Sequence, residues 1–198
     1  GQDLIARAFG GLANRYPELR LMAVPGSYTM LAEALLRGEI DCMVGILRDP
    51  PRFAGLRENF LTRERYSLVA HRDHRCHAGR RTIDALKGER WIVAPHGTPI
   101  RAYFEDLFRN RGATPPAQTC EILSFANAER VIANSDAIGL LSYGEDHLRD
   151  LQHGLKKVDV DLPDAEVAIG LTLRKDAGPT EIIELFETEL KSLLPPPA

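Results

Sequence analysis

Within seven residues the chain carries His71, His74, Cys76 and His77, each a side chain able to ligate a transition metal. Zinc sites use these residue types, but in paired spacings with a second pair elsewhere in the chain. Here no second cluster supplies partners, and Arg72, Arg75, Arg80 and Arg81 surround the first with positive charge. The segment therefore reads as a solvated loop, and no metal is expected. Nucleophile motifs are missing too: there is no G-x-S-x-G elbow, no H-E-x-x-H and no phosphate-loop lysine. Cys42 and Cys120 stand in apolar, strand-like runs, where a thiol acts as a small hydrophobe. His96, His147 and His153 are isolated and read as polar surface positions, and the acidic residues alternate with Lys and Arg on solvated helix faces. No catalytic residue and no cofactor is nominated.

HGTPIR, residues 96–101, offers binding rather than bond-making. Gly97 suits a strained turn, Thr98 a helix cap and Pro99 the first helical position. The free N–H groups of such a helix start point beyond the strand that precedes it. Gly26 and Ser27 form a similar corner earlier in the chain, and Ser124 stands in a third. Any one of them alone is a well-capped helix; three point to a cleft at strand C-termini, where ligands of α/β sheets collect. Arg101 adds a charge-assisted bond if it points inward, the other outcome being a solvent-facing side chain.

The elements that must hold these corners follow from periodicity. Leu4, Ile5, Ala8, Phe9 and Leu12 recur at helical spacing, LRLMAV (19–24) reads as a strand, and Met30, Leu31, Ala34 and Leu35 supply the stripe of a second helix. IDCMVGI (40–46), YSLVA (66–70), WIVA (91–94), TCEIL (119–123), AIGLL (137–141) and EVAIGLTLR (166–174) read as strands. Ile100, Tyr103, Phe104, Leu107 and Phe108 mark an amphipathic helix, a further helix runs from Ser124 to Asn134, and Pro179 opens a closing one. This alternation predicts an α/β fold with a mainly parallel sheet.

With 198 residues the chain has room for one large domain or two lobes, each with its own core. Its net charge of −3, from 25 basic and 28 acidic residues mixed along the chain, leaves no basic face for a phosphate backbone. Direct nucleic-acid binding by these residues is therefore not expected. No apolar run approaches the ~20 residues that cross a bilayer, and GQDLIARAFGG lacks the layout of a signal peptide. Three widely spaced cysteines read as reduced thiols of a cytoplasmic protein.

LLRGEIDCMVG (35–45), following YPELRLMAV and GSYTMLAEA, resembles the effector-binding domain of LysR-type transcriptional regulators, where a helix ending in L-x-x-G-E-[LI]-D leads into a buried strand. RERYSLVAHRDHRCHAGRRTIDALKGERWIV is similar to that family's crossover strand and following loop, and GTPIRAYFEDLF through AIGLLS to its second lobe. The GTPxR form of the helix start resembles a branch that includes regulators of sugar-uptake genes. The resemblance implies a type 2 periplasmic-binding-protein-like α/β fold of two lobes joined by two crossover strands, with an interlobe cleft. Residues 1–66 and 166–198 would form lobe I and 67–165 lobe II, with the winged helix-turn-helix outside this chain. The implied effector contacts fall on Gly26, Ser27, Gly97, Thr98 and Pro99, and extend to Ser124 and Ser142. The implied partners are a small-molecule effector, a homodimer or homotetramer, and DNA only through the separate N-terminal domain. The family's first strand has no counterpart here, since GQDLIARAF is already helical. A solute-binding protein of a transporter shares the fold, as would an enzyme with a convergent acid or base, for which the sequence offers no candidate.

Overall fold

The computed structural model describes residues 2–48, 52–117, 119–178 and 180–194. It divides into two compact units, residues 1–63 with 167–198 and residues 64–166. The chain therefore passes between units twice, once within strand β2 (Leu56–His71) and once within strand β7 (Glu166–Arg174). The expected boundaries at 66 and 166 fall within these same two strands.

In unit 1, helix α1 (Gln2–Arg15) buries Leu4, Ala8 and Leu12, one residue per turn on one face. They meet Ile183, Phe186 and Leu190 of helix α6 (Glu181–Ser192) together with Leu61, Leu171 and Leu173. Burying a side chain of this size contributes roughly 1.5–3 kcal/mol, so this seam dominates the unit's stability. Arg15 pairs with Glu189 across it. Helix α6 starts at a Thr180 cap, whose hydroxyl accepts from the N–H of Ile183 (3.3 Å); the expected opening residue, Pro179, lies outside the described residues.

Helix α2 (Tyr28–Leu36) buries Ala32 and Leu35; of the expected stripe Leu35 is buried, Leu31 and Ala34 are half-buried, and Met30 is exposed. The helix packs on Met43 and Leu56 with Tyr28 and Leu31 at its margin, a stripe that starts at Tyr28 instead of Met30. Strand β1 (Met43–Ile46) is shorter than the expected 40–46 and pairs antiparallel with β7, Gly45 opposite Gly170. Gly170 is required, because a Cβ there would run into the backbone oxygen of Asn59.

The strand expected at 19–24 is absent: residues 19–27 have no regular secondary structure. Leu19 and Leu21 pack against the α1–α6 core while Arg20 and Met22 are exposed, so a strand-like alternation holds over 19–22. What is missing is a ladder partner, and from Arg20 to Gly26 no backbone group has a hydrogen-bond partner among the described residues. Side-chain pattern sets which face is buried, but only a neighbouring strand makes a sheet. Hydrogen-exchange mass spectrometry should show the amides of Leu21 to Val24 exchanging without protection, while those of the central strand of unit 2 exchange slowest; protection of both alike would refute this account.

Unit 2 is built on β2, β5 (Ala137–Tyr143), β3 (Arg90–Val93) and β4 (Thr119–Glu121), in that order. The β4-β3-β5 part is parallel, whereas β2 pairs antiparallel with both β5 and β6 (Leu155–Lys157). The expectation of a mainly parallel sheet thus holds for three strands only. The connections β3→β4 and β4→β5 are helices α3 (Pro99–Arg109) and α4 (Phe125–Ala133), and parallel strands need such crossovers. Antiparallel β2 and β7 instead carry the chain between units. Well over half of β2 escaped the sequence reading because LRENFLTRER is polar on one side, as in a half-exposed strand. Trp91, Phe104 and Phe108 form an aromatic centre with ring centroids 5.1–5.8 Å apart.

The histidine-rich loop uses its side chains to hold itself. His74 Nδ1 accepts from the N–H of Cys76 (3.1 Å), and the ring nitrogens of His74 and His77 reach the carbonyls of Asp136 and His71 (3.1 Å each). Among the described residues no group of three or more His, Cys, Asp or Glu side chains is placed to hold a metal ion. No helix of the described residues is long and apolar enough to cross a membrane.

Candidate functional site

Because β4, β3 and β5 run parallel and adjacent, their C-terminal ends lie along one edge of unit 2. Gly97, Thr98 and Pro99 follow β3, Ser124 follows β4, and Ser142 lies near the end of β5. The topology therefore brings six of the eight singled-out residues, Arg101 among them, to one side of one sheet. Gly26 and Ser27 belong to unit 1, at the start of α2.

All three corners are helix caps of the same type. The N–H groups of Met30, Arg101 and Asn127 donate to the side-chain oxygens of Ser27 (3.4 Å), Thr98 (3.3 Å) and Ser124 (3.4 Å). The cap carbonyls take the next amides, Leu31, Ala102 and Ala128. What remains at each start is the pair of amides in the first two helical positions. For α2 these are Tyr28 and Thr29, and for α4 Phe125 and Ala126.

Helix α3 departs from the expectation. Pro99 has no N–H, and the Thr98 N–H and hydroxyl both turn back to the carbonyl of Pro95, at 3.4 and 2.8 Å. The amides expected to serve at Thr98 and Pro99 are thus not available; Gly97 and Ile100 carry the unclaimed N–H groups of this corner among the described residues. Gly97 has φ +84°, a left-handed conformation that glycine adopts without strain.

Arg101 neither faces solvent nor stands unpaired. It is buried, with Nε donating to Glu105 (2.9 Å), Nη1 to Glu121 (2.8 Å) and Nη2 to His96 Nε2 (2.9 Å). Since Nη2 donates, His96 Nε2 must accept, which leaves Nδ1 to carry the ring proton toward Glu105, 3.2 Å away. The Arg101 hydrogen bond, reinforced by Arg109, holds the Glu105 carboxyl below its ordinary pKa. This network ties the first turn of α3 to the end of β4 and fixes the HGTP turn between them. The Arg101–Glu105 pair was legible as an i,i+4 spacing; Glu121 and His96 were not, since only the parallel pairing of β3 with β4 brings them near.

Ser142 is also engaged, donating to the buried Glu64 (2.5 Å). Glu64, Glu129 and Glu189 correct the reading of acidic residues as solvated faces. Glu129 accepts from the Tyr143 hydroxyl (3.0 Å), with His147 3.5 Å away and packed against the Phe125 and Tyr143 rings, so His147 is no plain surface residue. Burial and the Glu129 carboxylate raise the Tyr143 pKa and keep its proton in place. Cys42 is packed against the unit 1 core and its thiol is pushed up to about 12 by burial. Cys120, expected to be covered, is exposed because β4 is an edge strand.

One residue went unnoticed in the sequence. Arg48, after β1, lies with its guanidinium 4.6 Å from the Tyr28 ring centroid beside the α2 start, and its buried Nε has no partner among the described residues.

The LysR substrate-binding domain family model matches residues 1–195. An HTH-type transcriptional regulator, GalR of Pseudomonas putida, is 24% identical over 160 residues, 81% of this chain and 40% of that protein. The regulator YdcI of Escherichia coli is 24% identical over 193 residues, 97% of this chain and 62% of its own length. The chain thus spans about half the length of these relatives. The regulatory domain of Synechocystis CcmR, solved in complex with 2-PG, superposes with a TM-score of 0.77 at 18% identity, covering 97% of this chain and 91% of that one. The fold is that of type 2 periplasmic binding proteins, and the chain belongs to the LysR substrate-binding domain family.

Proposed function

We propose that this chain is the effector-sensing domain of a cytoplasmic LysR-type transcriptional regulator, binding a polar or carboxylated metabolite and performing no chemistry on it. The observation that carries this reading is the row of capped turns at one edge of the parallel strands of unit 2. Gly97 and Ile100 after β3, and Phe125 and Ala126 after β4, leave amides unclaimed among the described residues. Each contact of an anionic oxygen with such a helix end contributes roughly 0.3–1 kcal/mol. Gly26 and Ser27 offer the same chemistry in unit 1. Occupation of the CcmR domain by 2-PG supports a small ligand for this fold. Arg101 acts here as a positioning residue, its charge already met by Glu105 and Glu121.

The regulator reaches DNA through a winged helix-turn-helix outside these residues. The effector acts by binding one arrangement of the oligomer better than another, because only differential affinity shifts such an equilibrium. Calorimetry with a panel of carboxylated metabolites tests the site. For a ligand so found, Ser27→Ala with Thr98→Ala should weaken binding at least tenfold, since both caps that orient the free amides are lost; an unchanged affinity in a folded double variant would sink the assignment.

The oligomer is a homodimer, or a homotetramer built from it, that pairs α1 of one chain with α4 of its partner. Val131 of α4 is exposed, whereas Leu4, Ala8 and Leu12 of α1 are used within unit 1, leaving Ile5 and Phe9 as the apolar residues of α1 at the surface margin. Sedimentation equilibrium should give a dimer at rising concentration; a monomer throughout would refute this pairing.

A further inference from the structure

Unit 2 holds a cavity of about 240 Å³ away from the strand tips, between the second half of α3 and the 163–164 segment that leads into β7. Tyr103, Asp106, Leu107, Asn110 and Arg111 line it from α3, and Pro163 and Asp164 from the facing segment. Its walls are fixed in place. The Tyr103 hydroxyl donates to the carbonyl of Pro163 (2.6 Å), its ring packs on Tyr66 with centroids 4.8 Å apart, and Arg111 Nη1 donates to the Leu107 carbonyl (2.6 Å).

Two exposed charged side chains of this cavity, Arg111 and Asp164, have no ionic partner among the described residues. Arg111 makes no ion pair among the described residues, so the rest of its guanidinium fork has no acidic partner. Asp164 has neither an ion pair nor a side-chain hydrogen bond among them, and it sits at φ +49°, a conformation uncommon outside glycine. Backbone held in a sparsely populated conformation clusters at ligand-binding sites. Asp106, by contrast, is met by Arg109 at 3.5 Å. Both leftover charges act on the Tyr103 hydroxyl, whose pKa burial and Asp164 push up to about 12, so it stays a neutral donor to Pro163 with lone pairs free to accept.

We propose that this cavity is a second small-molecule site, independent of the strand-tip site, that takes a free α-amino acid with its carboxylate on Arg111 and its ammonium on Asp164. The charge pattern selects the class. A dicarboxylate would set its second charge against Asp106 and Asp164, and a diamine would meet Arg111. Size agrees, because the cavity is smaller than the roughly 300–1,000 Å³ of sites for drug-sized ligands. Leu107 and the Tyr103 ring supply the apolar contact for a short side chain.

The test is an NMR titration of the whole chain with L-alanine and L-leucine, following the Tyr103 ring and the Arg111 side chain. Both amino acids should shift these signals in a saturable way. N-acetyl-L-alanine, lacking the cation, and L-alaninamide, lacking the anion, should bind at least tenfold more weakly. Arg111→Gln and Asp164→Asn should each weaken L-alanine at least tenfold; asparagine tolerates a positive φ, so the second variant keeps the local backbone. Ser27→Ala with Thr98→Ala should leave this titration unchanged, which separates this site from the strand-tip site. Absence of saturable shifts at Tyr103, equal binding of the N-acetyl compound, or full binding by both single variants would overturn the proposal.

Discussion

Trp91→Ala lowers the stability of unit 2 by about 3–5 kcal/mol, the largest loss expected from any single truncation in this unit. Trp91 is fully buried on β3, between Phe104 and Phe108 of α3, with ring centroids 5.1 and 5.8 Å away. Its indole N–H donates to the carbonyl of Leu86 (3.1 Å), which also accepts the Glu89 N–H (3.1 Å), so truncation opens a cavity and removes one buried hydrogen bond. A loss of this size approaches the whole stability of a domain, which is roughly 5–15 kcal/mol. Urea denaturation followed by far-UV circular dichroism should show the midpoint falling by about 1.5–2.5 M, given a slope of roughly 2 kcal/mol per molar. Trp91→Phe keeps most of the packing and loses only the indole bond, so it should cost clearly less. Equal losses in the two variants would show that the indole bond, not ring volume, dominates. As the sole tryptophan, Trp91 also makes wild-type fluorescence a report on unit 2 alone.

Arg101→Met ranks second. Methionine keeps the stem and the helix propensity while removing the charge that Glu105 and Glu121 share. Breaking a fully buried pair costs about 3–5 kcal/mol, and an exposed pair about 0–1 kcal/mol. Here the side chains of Arg101, Glu105 and Glu121 are 10%, 14% and 39% exposed, so a loss of about 1–2 kcal/mol is expected. The pH dependence identifies the cause. Glu105 has a folded-state pKa below its unfolded value of about 4.3, so its contribution is complete above that pH and is lost as pH falls through the lowered value. The gap in urea midpoint between wild type and Arg101→Met should therefore be widest near neutrality and close on acidification below about pH 4. A gap that stays constant would mean that Arg101 acts by packing alone.

The sequence by itself determined what depends on near neighbours. Helical spacing placed α1, α3, α4 and α6, because an amphipathic stripe of three or four turns needs only to know that some core exists. The caps at Ser27, Thr98 and Ser124 were legible for the same reason, since a cap bonds to its own helix three residues on. Resemblance to the LysR family supplied the two-part plan, which residue pattern alone left open.

Whatever depends on partners distant in sequence emerged only with the folded chain. LRLMAV had apolar residues enough for a strand and no ladder partner among the described residues, so it has no regular secondary structure. Arg101 could be read as a ligand contact until Glu121, twenty residues on, was brought against it by the β3–β4 pairing. Arg111 and Asp164, more than fifty residues apart, share a cavity only because the 163–164 segment folds back on α3 through the Tyr103–Pro163 bond. Local spacing fixes which groups a residue offers; the sheet and its crossovers fix which of those groups are consumed within the protein and which remain for a ligand.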